Sequence, residues 1–285
     1  MQRRIVYLIN PVSGTREKKS LQKAIRRATE QEKLPYEIIH TNADGDYDFL
    51  KEKILNEKIT DIVVCGGDGT ISAIGGALIG IDVNTGIIPM GSGNGLALCA
   101  GIPKNARKAL DIIFRGKTSY IDGFYINDRF SCMLSGIGLD AAVAHEFATQ
   151  KKRGLKTYIK LTTRHFFSAR PYLFRVSNAK NTIVTEAYFI SIANSNQFGN
   201  NFKIAPKAVL SDGLLDIVIA KKMHKLWLLL SVLYQVTGFN TRKKDIIQFR
   251  TKELTIHNHS LAPLHVDGDP VETAALFRVN VIPEA

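Results

Sequence analysis

The stretch VVCGGDGT, Val63 to Thr70, decides how the chain is read. An apolar run ends on three glycines, one aspartate and one threonine within five positions. A strand that stops at such a cluster passes into a loop whose backbone N–H groups can approach an anion closely. Asp68 is the puzzle. A phosphate site repels a carboxylate unless a metal ion or a proton transfer is involved.

Outward from this stretch the chain alternates as far as about Asp122. RIVYLIN is an apolar strand ending at Asn10-Pro11, and a charged, helix-favouring stretch follows from Arg16 to Lys33. YEIIHT is a second strand, with a helix from Tyr47 to Lys58. DIVVCGG is the third, leading into a small-residue helix from Thr70 to Ile79. TGIIPMG is the fourth, with helical patterns from Gly95 and from Asn105 to Arg115. Strand-helix alternation implies crossover units and a parallel sheet covered on both faces.

Beyond Asp122 strand-like runs dominate: RFSCMLSGIG, PYLFRVSN, TIVTEAYFISIAN, LLDIVIA, KELTIHN, LHVDGD and LFRVNVIP. Helical patterns interrupt them at 140–168 and 224–238. The expected fold is an α/β N-terminal domain, residues 1–122, followed by a β-rich, mostly antiparallel domain, residues 123–285. The last strand is expected to return toward the first domain.

Bulk properties narrow the classes. The chain has 285 residues, 45% hydrophobic and 22% charged, with a formal net charge of +12. That charge favours anionic partners: nucleotides, nucleic acid or an acidic membrane surface. No nucleic-acid motif or aromatic-basic platform accompanies it. Cys65, Cys99 and Cys132 form no CxxC pair and read as reduced thiols of a cytosolic protein. The apolar part of MQRRIVYLINP is too short for a signal peptide. The run Leu226–Phe239 falls short of the ~20 residues that span a bilayer. The expectation is a cytoplasmic protein, at most peripheral to a membrane.

Three glycine-bearing loops follow predicted strands: NPVSG (Asn10–Gly14), GGDGT (Gly66–Thr70) and PMGSGN (Pro89–Asn94). In a parallel sheet the carboxyl ends of the strands share one edge, so these loops converge there. Glycines admit phosphate oxygens to the backbone, and the following helix N-termini add positive potential. Ser13, Thr70 and Ser92 add hydroxyls, and Thr41 closes the second strand at the same edge. One such loop reads as a tight turn; three on one edge read as a phosphate site. There is no Walker pattern. GIGLDA (Gly136–Ala141) matches GxGxxA, yet it lies outside the alternating region. Asp68, beside phosphate, would serve Mg²⁺ or accept a proton, and either role points to phosphoryl transfer.

NPVSG, GGDGT, PMGSGN, GIGLDA, SDGLLD and VDGD, in this order, resemble the diacylglycerol kinase catalytic family, which includes bacterial soluble lipid kinases and the sphingosine and ceramide kinases. The resemblance covers nearly the whole chain. It implies ATP- and Mg²⁺-dependent phosphorylation of a lipid hydroxyl, of diacylglycerol or a sphingoid or ceramide-type lipid, in a cleft between the two domains. Asn10, Pro11, Ser13, Gly14, Thr41, Gly66, Gly67, Gly69, Thr70, Gly91, Ser92 and Asn94 would bind the nucleotide, with Asp68 nearest the transferred phosphate and Mg²⁺. The acidic catalytic position falls at Asp269, supported by Asp267. A structural Mg²⁺ maps to Asp212, with backbone carbonyls near Val209 and Leu214. The partners so implied are ATP, a lipid at a membrane surface, an anionic membrane and a second copy of the chain in a homodimer.

Two departures stand out. Asp269 replaces the usual Glu and is one methylene shorter, a difference of ~1 Å in reach that matters in a positioned reaction. Ala73 stands where the family commonly has Glu, three residues after Thr70. A catalytically impaired nucleotide- or lipid-binding regulator is therefore one alternative, and an NAD kinase-like enzyme, sharing GGDGT, is another. GSGN is closer to the sphingosine and ceramide kinases. A long-chain amine would want an acidic partner, and Asp140 is the candidate; helix N-capping fits it equally well.

The basic runs Lys151–Lys160 and Thr241–Lys244 could meet anionic headgroups or simply form solvated faces. Leu226–Phe239 reads as a packed helix more readily than a membrane-lying one. His257, His259 and His265 offer a zinc site few further ligands.

Overall fold

The computed structural model describes residues 2–14, 18–42, 45–150, 154–200, 202–228 and 245–285. The run Thr241–Lys244, the start of the run Lys151–Lys160 and most of Leu226–Phe239 lie outside the described residues. The chain divides into two compact units, one through Tyr120 together with Ala285, the other from Ile121 to Glu284.

The first unit is built on four parallel strands, β1 (Ile5–Ile9), β2 (Tyr36–His40), β3 (Asp61–Gly66) and β4 (Asn84–Pro89), in the order β2-β1-β3-β4. Every residue of β1 and β3 is buried, and both read as apolar runs apart from Asp61 at the start of β3, whereas edge strand β2 is only partly covered. Helices α1 (Lys18–Gln31), α2 (Phe49–Glu57), α3 (Asp68–Leu78), α4 (Gly95–Cys99) and α5 (Ala106–Arg115) alternate with them. Ile25, Leu110 and Ala109 pack with Tyr7, Val63 and Ile88 in the core. The register pairs Ile9 with Cys65 and Gly66 with Pro89. The strands therefore end level, and their loops leave the sheet side by side.

The second unit is an 11-stranded antiparallel sheet with a separate two-stranded one. β5 (Gly123–Ile126), β6 (Arg129–Ser131), β7 (Leu134–Gly138), β8 (Tyr172–Ser177), β9 (Thr182–Ala193), β14 (Glu253–Asn258), β15 (Leu264–Val266), β16 (Asp269–Val271) and β17 (Leu276–Ile282) run in the order β16-β15-β7-β9-β8-β14-β17-β5-β6. β12 (Leu215–Lys221) pairs with β9 and with β13 (Ile246–Thr251), and β10 (Gln197–Gly199) pairs with β11 (Phe202–Lys203). Long β9 pairs with β8 over its first half and with β7 and β12 over its second. Phe124, Phe174, Ile190, Ile217, Ile256 and Phe277 fill the core. The helical interruption expected at 140–168 is two helices, α6 (Leu139–Ala148) and α7 (Leu155–Ser168). The last strand, β17, lies between β14 and β5. β5 is only four residues long and β13 is interrupted by polar Gln248 and Arg250, so neither is legible as an apolar run in the sequence.

Among the described residues no helix is long and apolar enough to cross a membrane. Cys65 and Cys132 are buried, and burial pushes the Cys65 thiol far above its ordinary pKa. His257 and His259 stack 6.1 Å apart, and no cluster of three or more metal-ligating side chains occurs among the described residues.

Candidate functional site

In the first unit the loops after β1, β3 and β4 form one cluster. The Asn10 side chain donates from Nδ2 to Thr70 Oγ1 at 2.8 Å. Its Oδ1 accepts the amides of Val12 and Ser13, at 2.9 and 3.2 Å. Asn10 thus shapes its own loop and ties it to GGDGT. Gly14 has φ +65°, and a Cβ there would sit 2.0 Å from the carbonyl oxygen of Met90. A Cβ on Gly91 would come within 2.7 Å of Gly67 Cα. These glycines are required by backbone-to-backbone approach between loops. Asn94, nearly fully buried with φ 56°, closes the third loop by exchanging two 2.7 Å bonds with the backbone of Gly91. Thr41 is buried and hydrogen-bonded to Tyr47, while Pro11 and Ser92 are exposed.

Asp68 opens α3, and its carboxylate spans to α4. Oδ2 accepts the Gly95 amide at 3.0 Å and Oδ1 the Leu96 amide at 3.2 Å. The charge has fixed partners in two N-terminal amides of a neighbouring helix, which stabilise an anion.

In the second unit Asp267 and Asp269 flank a tight hairpin turn. Asp267 (φ 50°) and Gly268 (φ 88°) both take the left-handed conformation that a two-residue hairpin turn requires, and Val266 pairs with Asp269. Asp267 is buried. Its Oδ1 accepts Ser131 Oγ at 2.7 Å and the Leu134 amide at 2.8 Å, and its own amide donates to the Leu134 carbonyl at 2.9 Å. Asp269 is exposed at the start of β16. The two carboxylates therefore differ: Asp267 anchors the turn to β6 and β7, and Asp269 is presented by it. Asp267→Ala leaves a buried hydroxyl and amide without this acceptor. It is expected to cost roughly 2–5 kcal/mol in urea-unfolding stability.

A profile of the diacylglycerol kinase catalytic domain matches residues 4–126, and one of the YegS C-terminal NAD kinase beta sandwich-like domain matches residues 134–285. The chain belongs to the diacylglycerol kinase catalytic family. A diacylglycerol kinase of Mycobacterium tuberculosis is 29% identical over 289 residues, covering 96% of this chain and 92% of that protein. A diacylglycerol kinase of Staphylococcus aureus is 26% identical over 281 residues, covering 94% and 87%. A Bacillus anthracis protein described as a candidate diacylglycerol kinase has a crystal structure superposing with a TM-score of 0.84, at 20% identity, over 99% of this chain and 95% of that one. A second crystal structure, of a Bacillus anthracis diacylglycerol kinase, superposes with a TM-score of 0.73 at 17% identity, covering 99% and 94%. These likenesses show the fold.

Other positions suggested by the kinase family resemblance have partners inside their own unit. Asp140, in the first turn of α6, accepts the Ala141 amide at 2.9 Å, and its Oδ2 lies 3.4 Å from His265 Nε2. His265 Nδ1 accepts the Gly268 amide at 3.2 Å, so the ring proton sits on Nε2, facing Asp140. A Cβ on Gly136 would fall 1.9 Å from Asp140 Oδ2, and one on Gly138 2.4 Å from the Tyr188 carbonyl. The GxGxxA glycines are thus explained by packing over β7 and against β9. Asp212 accepts the Leu214 amide at 3.1 Å and ion-pairs with Arg250 at 3.3 Å, and the Val209 side chain is exposed.

In the sequence Lys18 is one charge among many in the stretch Arg16 to Lys33. It opens α1, and its Nζ donates to the Ser13 carbonyl, placing an ammonium beside the NPVSG loop. Burial lowers its pKa. As the helix starts at Lys18, its first turn has no acidic residue and begins with two lysines, against the helix dipole. Such a helix start suits an anionic ligand. Ala73, in place of the family's Glu, is exposed on α3.

Proposed function

We propose that this protein is an ATP-dependent lipid kinase, transferring the γ-phosphate of ATP to the hydroxyl of diacylglycerol or of a sphingoid or ceramide-type lipid. The observation that carries this reading is the fusion of three glycine loops at one sheet edge. Gly14 meets Met90, Gly67 meets Gly91, and Asn10 bonds Thr70. Such a surface of amides and hydroxyls, with Lys18 beside it, suits a polyphosphate.

In this reading the NPVSG and GGDGT loops hold the phosphates, Lys18 adds a positive charge, and Ser13, Thr70 and Ser92 supply hydroxyl donors. Asp68 would hold Mg²⁺, directly or through water, and the ion would neutralise phosphate charge. Two amides already fix the Asp68 carboxylate in place, so it needs little reorganisation to serve there. Asp269, exposed on a turn anchored by Asp267, takes the proton of the lipid hydroxyl. Catalysis is then mainly positioning and charge neutralisation. The lipid is met at a membrane surface to which the protein is peripheral.

The test offers ATP and Mg²⁺ with diacylglycerol, sphingosine, ceramide and phosphatidylglycerol in mixed micelles, and separately with NAD. A phosphomonoester of at least one lipid is expected. NADP formed with no phosphorylated lipid would replace this reading with NAD kinase activity.

A further inference from the structure

We propose that the guanidinium of Arg250 is the resident cation of the 207–216 loop, in the place where the family resemblance implies a structural Mg²⁺. Arg250 lies on β13 directly opposite Asp216 of β12. Its Nε donates to Asp216 Oδ1 at 3.3 Å, and its Nη1 donates to Asp212 Oδ2 at 3.3 Å. Its Nη2 donates to the Lys207 carbonyl at 2.5 Å. One planar group thus collects two carboxylates and a backbone carbonyl, the acceptor types a hard divalent cation would take.

The loop fits a guanidinium better than a metal ion. Mg²⁺ demands near-octahedral oxygen at about 2.0–2.1 Å. Here Asp212 Oδ2 already faces a cation, the Arg250 guanidinium, while Oδ1 accepts the Leu214 amide. Arg250 supplies directional N–H groups from a fixed fork and needs no dehydration of a small ion. The inner side of the loop is held separately. Asp122 Oδ2 accepts the Gly213 amide at 2.6 Å, the Asp122 amide donates to the Leu210 carbonyl at 2.6 Å, and Asp122 Oδ1 accepts the Glu284 amide at 3.0 Å. With Asp122 inside and Arg250 outside, each side of the loop has its tether. Any Mg²⁺ requirement in turnover then belongs to the nucleotide alone.

The test is the thermal midpoint of nucleotide-free protein in EDTA and in excess Mg²⁺ or Ca²⁺, for wild type, Arg250→Met and Asp212→Asn. The wild-type midpoint is expected to be the same in EDTA as with either cation. Arg250→Met is expected to lower it by about 3–6 °C, through loss of one cation's bonds to three acceptors. A cation response that survives in Asp212→Asn lies outside this loop and leaves the assignment standing. A wild-type rise with Mg²⁺ or Ca²⁺ that Asp212→Asn abolishes would overturn it, as would Arg250→Met melting with the wild type. If Arg250→Met does not fold, the wild-type and Asp212→Asn comparison decides alone.

Discussion

Asp68→Asn is expected to lower lipid phosphorylation by at least about 100-fold while the protein stays folded. The substitution acts on two separate roles. As a cap, Asp68 accepts the Gly95 and Leu96 amides. Asparagine keeps one acceptor and turns an NH₂ toward the other amide, which costs on the order of 1 kcal/mol. In the proposed mechanism Asp68 is also the charge nearest the transferred phosphate, where a neutral amide would not serve, and loss of a preorganised electrostatic group costs roughly 10²–10³ in rate. Measuring kcat beside the urea midpoint separates the two. A small stability loss with full activity would make Asp68 a helix cap and nothing more.

Gly14→Ala is expected to remove ATP binding, weakening it at least about 100-fold. The backbone at Gly14 has φ +65°, and an alanine Cβ would lie 2.0 Å from the Met90 carbonyl oxygen. The φ strain alone costs about 1–2 kcal/mol. The collision adds more, because its partner is backbone and cannot rotate away. Relief requires the NPVSG loop to move off the loop after β4, which opens the phosphate surface. Gly80→Ala is the matched control: φ is +76°, yet nothing lies within 4 Å of the added carbon. Titration of ATP by calorimetry should show binding retained in Gly80→Ala and lost in Gly14→Ala. Equal affinity in both would mean that contact between the loops is unnecessary for the nucleotide.

Much of this architecture was legible in the chain. β1 and β3 are buried along their whole length, so Ile5–Ile9 and Ile62–Cys65 appear as apolar runs, and Asn10-Pro11 and the glycines from Gly66 mark where the strands end. Level strand ends then force the loops together, a consequence of parallel topology that needs no coordinates. The partners of charged groups were illegible, because tertiary contacts choose them. Nothing local to GGDGT says that Asp68 will cap a helix beginning at Gly95. Nothing in VDGD separates buried Asp267, a turn residue with left-handed φ, from exposed Asp269, the first residue of β16. Arg250 finds Asp212 and Asp216 through the β12–β13 register, and that register could not be set while β13 went unread. Lys18 was equally illegible, because a helix read from Arg16 has Glu17 in its first turn, and only the start at Lys18 leaves that turn without an acid.

The central claim is that this chain moves the terminal phosphate of ATP onto a lipid. The most direct measurement follows label from ATP into the organic phase, with diacylglycerol, sphingosine or ceramide in micelles and Mg²⁺ present. Label at the γ position is expected to appear in a lipid phosphomonoester, label at the α position to stay in the aqueous nucleotide. Failure of γ label to enter any of these lipids, from folded protein that binds ATP, would contradict the account.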